Sequence, residues 1–195
     1  MDSGLTLALS FLIGGIFLMT VLNTQVNLQK TATVNYLEEN VHQNMDGMRE
    51  ILKTDIEKVG YNIDLTEVSS PIILSKLHGS SHFNSIKFYL DVKSEHEDDT
   101  DNDLDSIHIW VSDTTALANT ENGSDCYLYR RVNNGDSLMI GSGVTFFEVE
   151  KQNMSDLVNG DDVVIISLVA ETPYSYEEQF FSAMWKGRIC PKNLR

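Results

Sequence analysis

A chain of 195 residues, 42% of them hydrophobic, has room for one folded domain with a modest core. Its 29 Asp and Glu against 14 Lys and Arg give a formal net charge of −15, which excludes a nucleic-acid partner, because phosphate binding needs a basic face. The two cysteines, Cys126 and Cys190, lie far apart in the chain, and one disulfide formed in an oxidising compartment is expected, with two buried free thiols as the alternative.

The amino terminus dominates the pattern. From Ser3 to Gln29 no side chain is charged, and within Leu5–Leu22 only Thr6, Ser10, Gly14, Gly15 and Thr20 interrupt the apolar residues. A run of this length is a membrane-span candidate. Beyond Lys30 the residues Val34, Leu37, Val41, Met45, Met48, Leu52, Ile56 and Val59 recur at steps of three and four, while Glu38, Glu39, Asp46, Arg49, Glu50, Lys53 and Lys58 take the other face. No proline precedes Pro71, and Gly60 offers a helix stop. The spacing predicts one helix over 1–59, on the order of 85 Å long at about 1.5 Å per residue, half in lipid and half laid on a soluble domain. Met1-Asp2-Ser3-Gly4 lacks the basic leader of a secretory signal, so the segment is expected to be retained.

Residues 60–85, with Pro71, Gly79 and several Ser around a short apolar patch at Ile72-Ile73-Leu74, read as a connector. The remainder, 86–195, reads as a β-rich head. Ile86, Phe88, Leu90 and Val92 alternate with Lys87, Tyr89 and Asp91, the two-residue period of a half-buried strand. Further strands are expected at Ile107–Val111, Cys126–Val132, Ser137–Ile140, Val144–Lys151, Val163–Ala170 and Glu178–Ile189, with Gly135-Asp136, Gly141-Ser-Gly143 and Asn159-Gly160 as turns between them. The class is α+β: a long amino-terminal helix, apolar then amphipathic, packed on an antiparallel sheet.

Three stretches carry a family resemblance. Gly4-Leu-Thr-Leu-Ala-Leu9 is similar to the Gly-Phe-Thr-Leu-x-Glu opening of the type IV pilin and pseudopilin group. Asp55-Ile-Glu-Lys-Val-Gly-Tyr61 is similar to the helix end of its minor subunits, and Tyr127-Leu-Tyr-Arg130 with Gly141-Ser-Gly-Val144 to their later strands. The resemblance implies a structural subunit of a type IV pilus-like extracellular filament, without enzymatic activity or cofactor. Such a subunit waits in the inner (cytoplasmic) membrane, then joins a helical homopolymer at the cell surface through its amino-terminal helix. The contacts would involve Leu5, Leu9, Leu12, Ile16 and Leu22, with Gly14 and Gly15 either admitting a close neighbour or marking a locally unwound stretch. Leu9 stands where those proteins carry Glu, which leaves Asp2 as the only nearby carboxylate. Asp2 then pairs with the Met1 amine of its own or a neighbouring copy, or both charges sit in water at the membrane face. Two other roles share these features: a minor pseudopilin of a secretion system, and a single-pass anchored extracytoplasmic binding domain that does not polymerise.

The search for chemistry yields less. His78 and His82 are four apart around Gly79-Ser80-Ser81, a metal-binding spacing on a helix but here in an expected loop. A Cys–His nucleophilic pair requires a free thiol, and no Gly-x-Ser-x-Gly turn or phosphate-binding loop is present. Ser94–Asp105 carries seven carboxylates and no cation; Asp99, Asp101 and Asp103 alternate as calcium ligands do, but Leu104 stands where a calcium loop has glycine, so a solvated loop is the plainer reading. Asn122-Gly-Ser124 and Asn153-Met-Ser155 fit the N-glycosylation pattern. Trp110, Tyr127, Tyr129, Tyr174, Tyr176 and Trp185 are numerous enough to line an interface between heads, or else serve the sheet itself.

Overall fold

The computed structural model describes residues 2–61, 70–90, 104–113, 120–153 and 162–191. The chain divides into two compact units, Met1–Glu39 and Asn40–Arg195. A single helix, α1 (Asp2–Glu57), supplies all of the described part of the first and the opening element of the second.

In the first unit every described side chain from Ser3 to Thr33 is exposed. Phe11-Leu12-Ile13 and Ile16-Phe17-Leu18-Met19 are consecutive apolar residues, and at 100° per residue such runs cover the whole circumference of the helix. The segment is long and apolar enough to cross a membrane. Three of its hydroxyls are satisfied within the helix. Ser10 donates to the Thr6 carbonyl at 2.9 Å, Thr20 to Ile16 at 2.9 Å and Thr24 to Thr20 at 2.9 Å. Each polar side chain so bonded leaves no open donor toward an apolar surround.

The second unit is one seven-stranded antiparallel sheet in sequence order: β1 (Ile72–Ser75), β2 (Ser85–Leu90), β3 (Asp105–Val111), β4 (Cys126–Val132), β5 (Leu138–Asn153), β6 (Asp162–Glu171) and β7 (Ser182–Ile189). The sheet curls, because the Val149 N–H in the second half of β5 donates at 2.8 Å to the Phe83 carbonyl beside the β1–β2 turn. The residues at three- and four-step spacing fill the concave side: Val41, Met45, Met48, Leu52 and Ile56 of α1, with Val59 in the turn after it, join Ile86, Phe88, Ile109, Leu128, Val149, Ile166 and Leu168 in one core. After Glu57 the chain turns, Gly60 takes a positive φ of 76°, and its N–H donates to the Tyr89 carbonyl at 3.1 Å. The sheet's first long strand is thereby tied to the helix end.

One ion pair crosses this core. Arg130 on β4 meets Asp55 on α1 through Nε to Oδ2 at 2.5 Å and Nη2 to Oδ1 at 3.1 Å, with Asp55 only 4% exposed. The planar guanidinium satisfies both carboxylate oxygens at once. Alternation on β4 places Arg130 on the same side as Leu128, so a cation reaches into an otherwise apolar layer and the helix must answer it.

Three expectations are corrected. The patch at Ile72 is not connector but edge strand β1, paired through Ile72 with Phe88 and through Leu74 with Ile86. Gly141-Ser-Gly143 is not a turn; it lies within the 16-residue β5. A Cβ on Gly141 would stand 2.1 Å from Met48 Sδ, and one on Gly143, at φ +68°, would stand 2.4 Å from the Glu171 carbonyl, so both glycines permit close approach inside a strand. The Cys126–Cys190 disulfide does not form, and both thiols are free. Cys126 is level with Val144, Ala170 and Ala183 across the sheet, whereas Cys190 follows Ile189 at the far end of β7. Seven residues at about 3.3 Å each separate that level from Cys190, far beyond the roughly 7 Å Cα limit of a disulfide.

Replacing Asp55 by Asn leaves the Arg130 charge half-buried and unpaired, and a loss of about 3 kcal/mol is expected in denaturant unfolding of the full chain in detergent. Asp55→Asn combined with Arg130→Met removes the orphaned charge and is expected to recover most of that loss.

Candidate functional site

Two surfaces carry functional potential, one in each unit. On the first, Leu5, Leu9, Leu12, Ile16 and Leu22 are all more than half exposed. Gly14 and Gly15 lie in unbroken helix, and a Cβ built on either meets nothing within 4 Å. Room for a neighbour is therefore present at both glycines. The Asp2 side chain and Met1 lie outside the described residues.

On the second, the outer face of β2, β3 and β4 carries the alternate residues that the core does not take. Ser85 Oγ lies 2.8 Å from His108 Nε2, and the His108 ring stacks on Trp110 with centroids 4.5 Å apart. Trp110 stacks in turn on Tyr129 at 5.7 Å, and Tyr127 meets Tyr129 edge-on at 6.0 Å. Two cations rest on these rings: the Arg131 guanidinium lies 5.5 Å from the Trp110 centroid, and Lys87 Nζ lies 5.1 Å from that of Tyr89. Burial, then the charges of Arg131 and Lys87, hold the His108 imidazole below its ordinary pKa, so it is neutral near pH 7.

Only half of the expected aromatic set meets here. Trp110, Tyr127 and Tyr129 share the face, but Trp185 packs on the core side, where its ring covers Gly187, and Tyr174 and Tyr176 lie in the β6–β7 connection. The cations escaped the sequence reading. The two-residue period of His108/Trp110 and Tyr127/Tyr129/Arg131 on the face opposite the core carries that signal.

A cleft of about 300 Å³ at the end of the sheet is lined by residues including His78, His82, Asp113 and Cys126. Burial first, then Asp113 and Asp125, push the Cys126 thiol up, with the Ser112 hydroxyl opposing, so the nucleophilic thiolate is disfavoured. His82 packs on Phe146 with ring centroids 4.9 Å apart, and His78 sits at φ +53° in the turn before Gly79. Among the described residues no three His, Cys, Asp or Glu side chains are placed to share a metal ion. Asp99, Asp101 and Asp103 lie outside the described residues, as do Met154 and Ser155 of the second glycosylation pattern. The first pattern is closed by packing. Asn122 is buried, its Nδ2 donates to Glu171 Oε2 at 2.6 Å, and its Oδ1 accepts the Ser124 N–H.

Next to it, Asp125 is fully buried and neither carboxylate oxygen has a hydrogen-bond partner of good geometry. Burial pushes its carboxyl up to about 6, an effect that the Thr120 hydroxyl opposes and the Glu171 charge reinforces.

Comparison of the chain with known protein families, with characterised proteins and with solved structures finds no match. The functional reading therefore rests on the two surfaces themselves.

The folded state holds the Asp125 proton more tightly than the unfolded chain does, so stability from this group falls as pH rises through about 6. Asp125→Asn is expected to raise the melting temperature above that pH. The advantage should vanish as pH falls to the ordinary carboxylate range, as read from thermal melts across the interval.

Proposed function

We propose that this chain is a structural subunit of a type IV pilus-like extracellular filament, assembled through its hydrophobic amino-terminal helix. The observation that carries this reading is the helix from Leu5 to Leu28, where 14 large hydrophobic side chains are exposed on all sides. Burying each is worth about 1.5–3 kcal/mol, so water is excluded as a resting environment by tens of kcal/mol. Lipid satisfies the segment, and so do parallel copies of it, because both offer apolar contact and neither needs a hydrogen bond. A subunit of this kind leaves the cytoplasmic membrane by exchanging phospholipid for sister helices, while the β-rich unit faces solvent with its share of the −15 charge. The reading assigns no catalytic residue and no cofactor.

A second reading has its own support: the exposed apolar helix equally fits a single-pass anchor for an extracytoplasmic domain that never polymerises. Electron microscopy of sheared cell-surface material separates the two. Gly14→Leu is expected to leave the melting temperature of the detergent-solubilised chain unchanged, since its new side chain meets open space, and to lower filament yield by blocking close helix approach. Full-length material that stays monodisperse after detergent removal, with no fibres at any concentration, removes the polymer and leaves the tethered domain.

A further inference from the structure

The outer face of β2–β4 is locally positive in a strongly acidic chain. Lys87 and Arg131 flank β3 from either side, and neither pairs with a carboxylate among the described residues. The buried Nε of Arg131 has no hydrogen-bond partner among them either. Each cation is seated on a ring face, which fixes the head group and leaves its outward N–H groups to meet an acceptor.

The rings themselves argue against a stacking ligand. Trp110 stacks on both His108 and Tyr129 within 26° of parallel and has Arg131 over its ring, so its faces are used internally. A sugar or a base, which needs a free ring face, finds none on Trp110. What the face offers outward is an ammonium group and a guanidinium fork, the donor set that matches carboxylate oxygens.

Carboxylates are what this chain has in excess, 29 against 14 Lys and Arg. We propose that the outer face of β2–β4 docks the carboxylate-rich surface of a second copy of this chain, with Lys87 and Arg131 as the residues that hold it. The proposal rests on the assembly reading only in that helix association brings copies to high local concentration, where weak complementary contacts suffice to set the register of the heads.

The test uses the full chain in detergent, mixed from isotopically labelled and unlabelled copies and treated with a carbodiimide, which joins lysine to a carboxylate in contact with it. The expected result is Lys87 joined to Asp or Glu peptides of the opposite label, the adduct disappearing at high salt. Arg131→Gln, which replaces the second cation with a neutral polar side chain, is expected to lower that adduct severalfold with an unchanged far-ultraviolet spectrum. Lys186, exposed on β7, serves as the measure of random coupling. Lys87 adducts confined to a single copy, or no more frequent than those of Lys186, overturn the docking. The filament reading fails separately. Fibres whose head order is untouched by Lys87→Gln with Arg131→Gln overturn the docking alone, and salt-sensitive coupling between copies that never form fibres supports the docking while removing the polymer.

Discussion

The second unit depends on one covering element. A seven-stranded sheet in sequence order is a simple meander, and its concave side is closed by a single helix whose residues from Val41 to Ile56 supply an apolar stripe for the core. A single antiparallel sheet with neither face covered has too little buried area to stand by itself. The same helix supplies Asp55 to the cation that β4 carries inward. Met48 takes the room vacated at Gly141, and Asn44 donates to the Ser142 carbonyl at 2.7 Å. Docking of the helix and bending of β5 are thus one event in packing terms, since the strand's small residues lie where the helix presses on it.

Much of this is legible in the amino-acid sequence, and the reasons are local. The helix announces itself through an uncharged run followed by three- and four-step spacing, and Leu52 and Ile56 fall on the stripe that the spacing assigns to the core. β2, β3, β4, β6 and β7 follow from two-residue alternation or from a continuous apolar run. Failures came where a residue's reason lay in a distant partner. Gly141 and Gly143 read as punctuation because glycine usually is, whereas here they serve contacts to Met48 and to the Glu171 carbonyl. The pairing of the thiols rests on compartment grounds, and only strand register shows Cys126, on β4, level with the start of β7 while Cys190 follows its end. The Asp55–Arg130 pair joins two of the stretches that suggested a family, and no spacing rule predicts a partner 75 residues away.

The surfaces show the same division. The apolar run Leu5–Leu22 was readable from hydropathy, while the gathering of Lys87, His108, Trp110, Tyr129 and Arg131 required the pairing of three strands. Half-buried charge is tolerated on that face because each cation keeps a ring beneath it and solvent above. At Asp125 the opposite holds: a carboxylate without a ring, a cation or a good donor shifts toward its neutral form.

The hydroxyl groups of Ser10, Thr20 and Thr24 return their protons to the preceding turn. From Leu5 to Leu22 the helix surface consequently lacks directional bonds of its own, and an apolar neighbour meets a shape without a preferred notch except where the two adjacent glycines indent it. In the filament proposed above, such a rod would slide easily along a companion, and lengthwise alignment would have to come from outside the greasy segment, from the part of the molecule that carries charge.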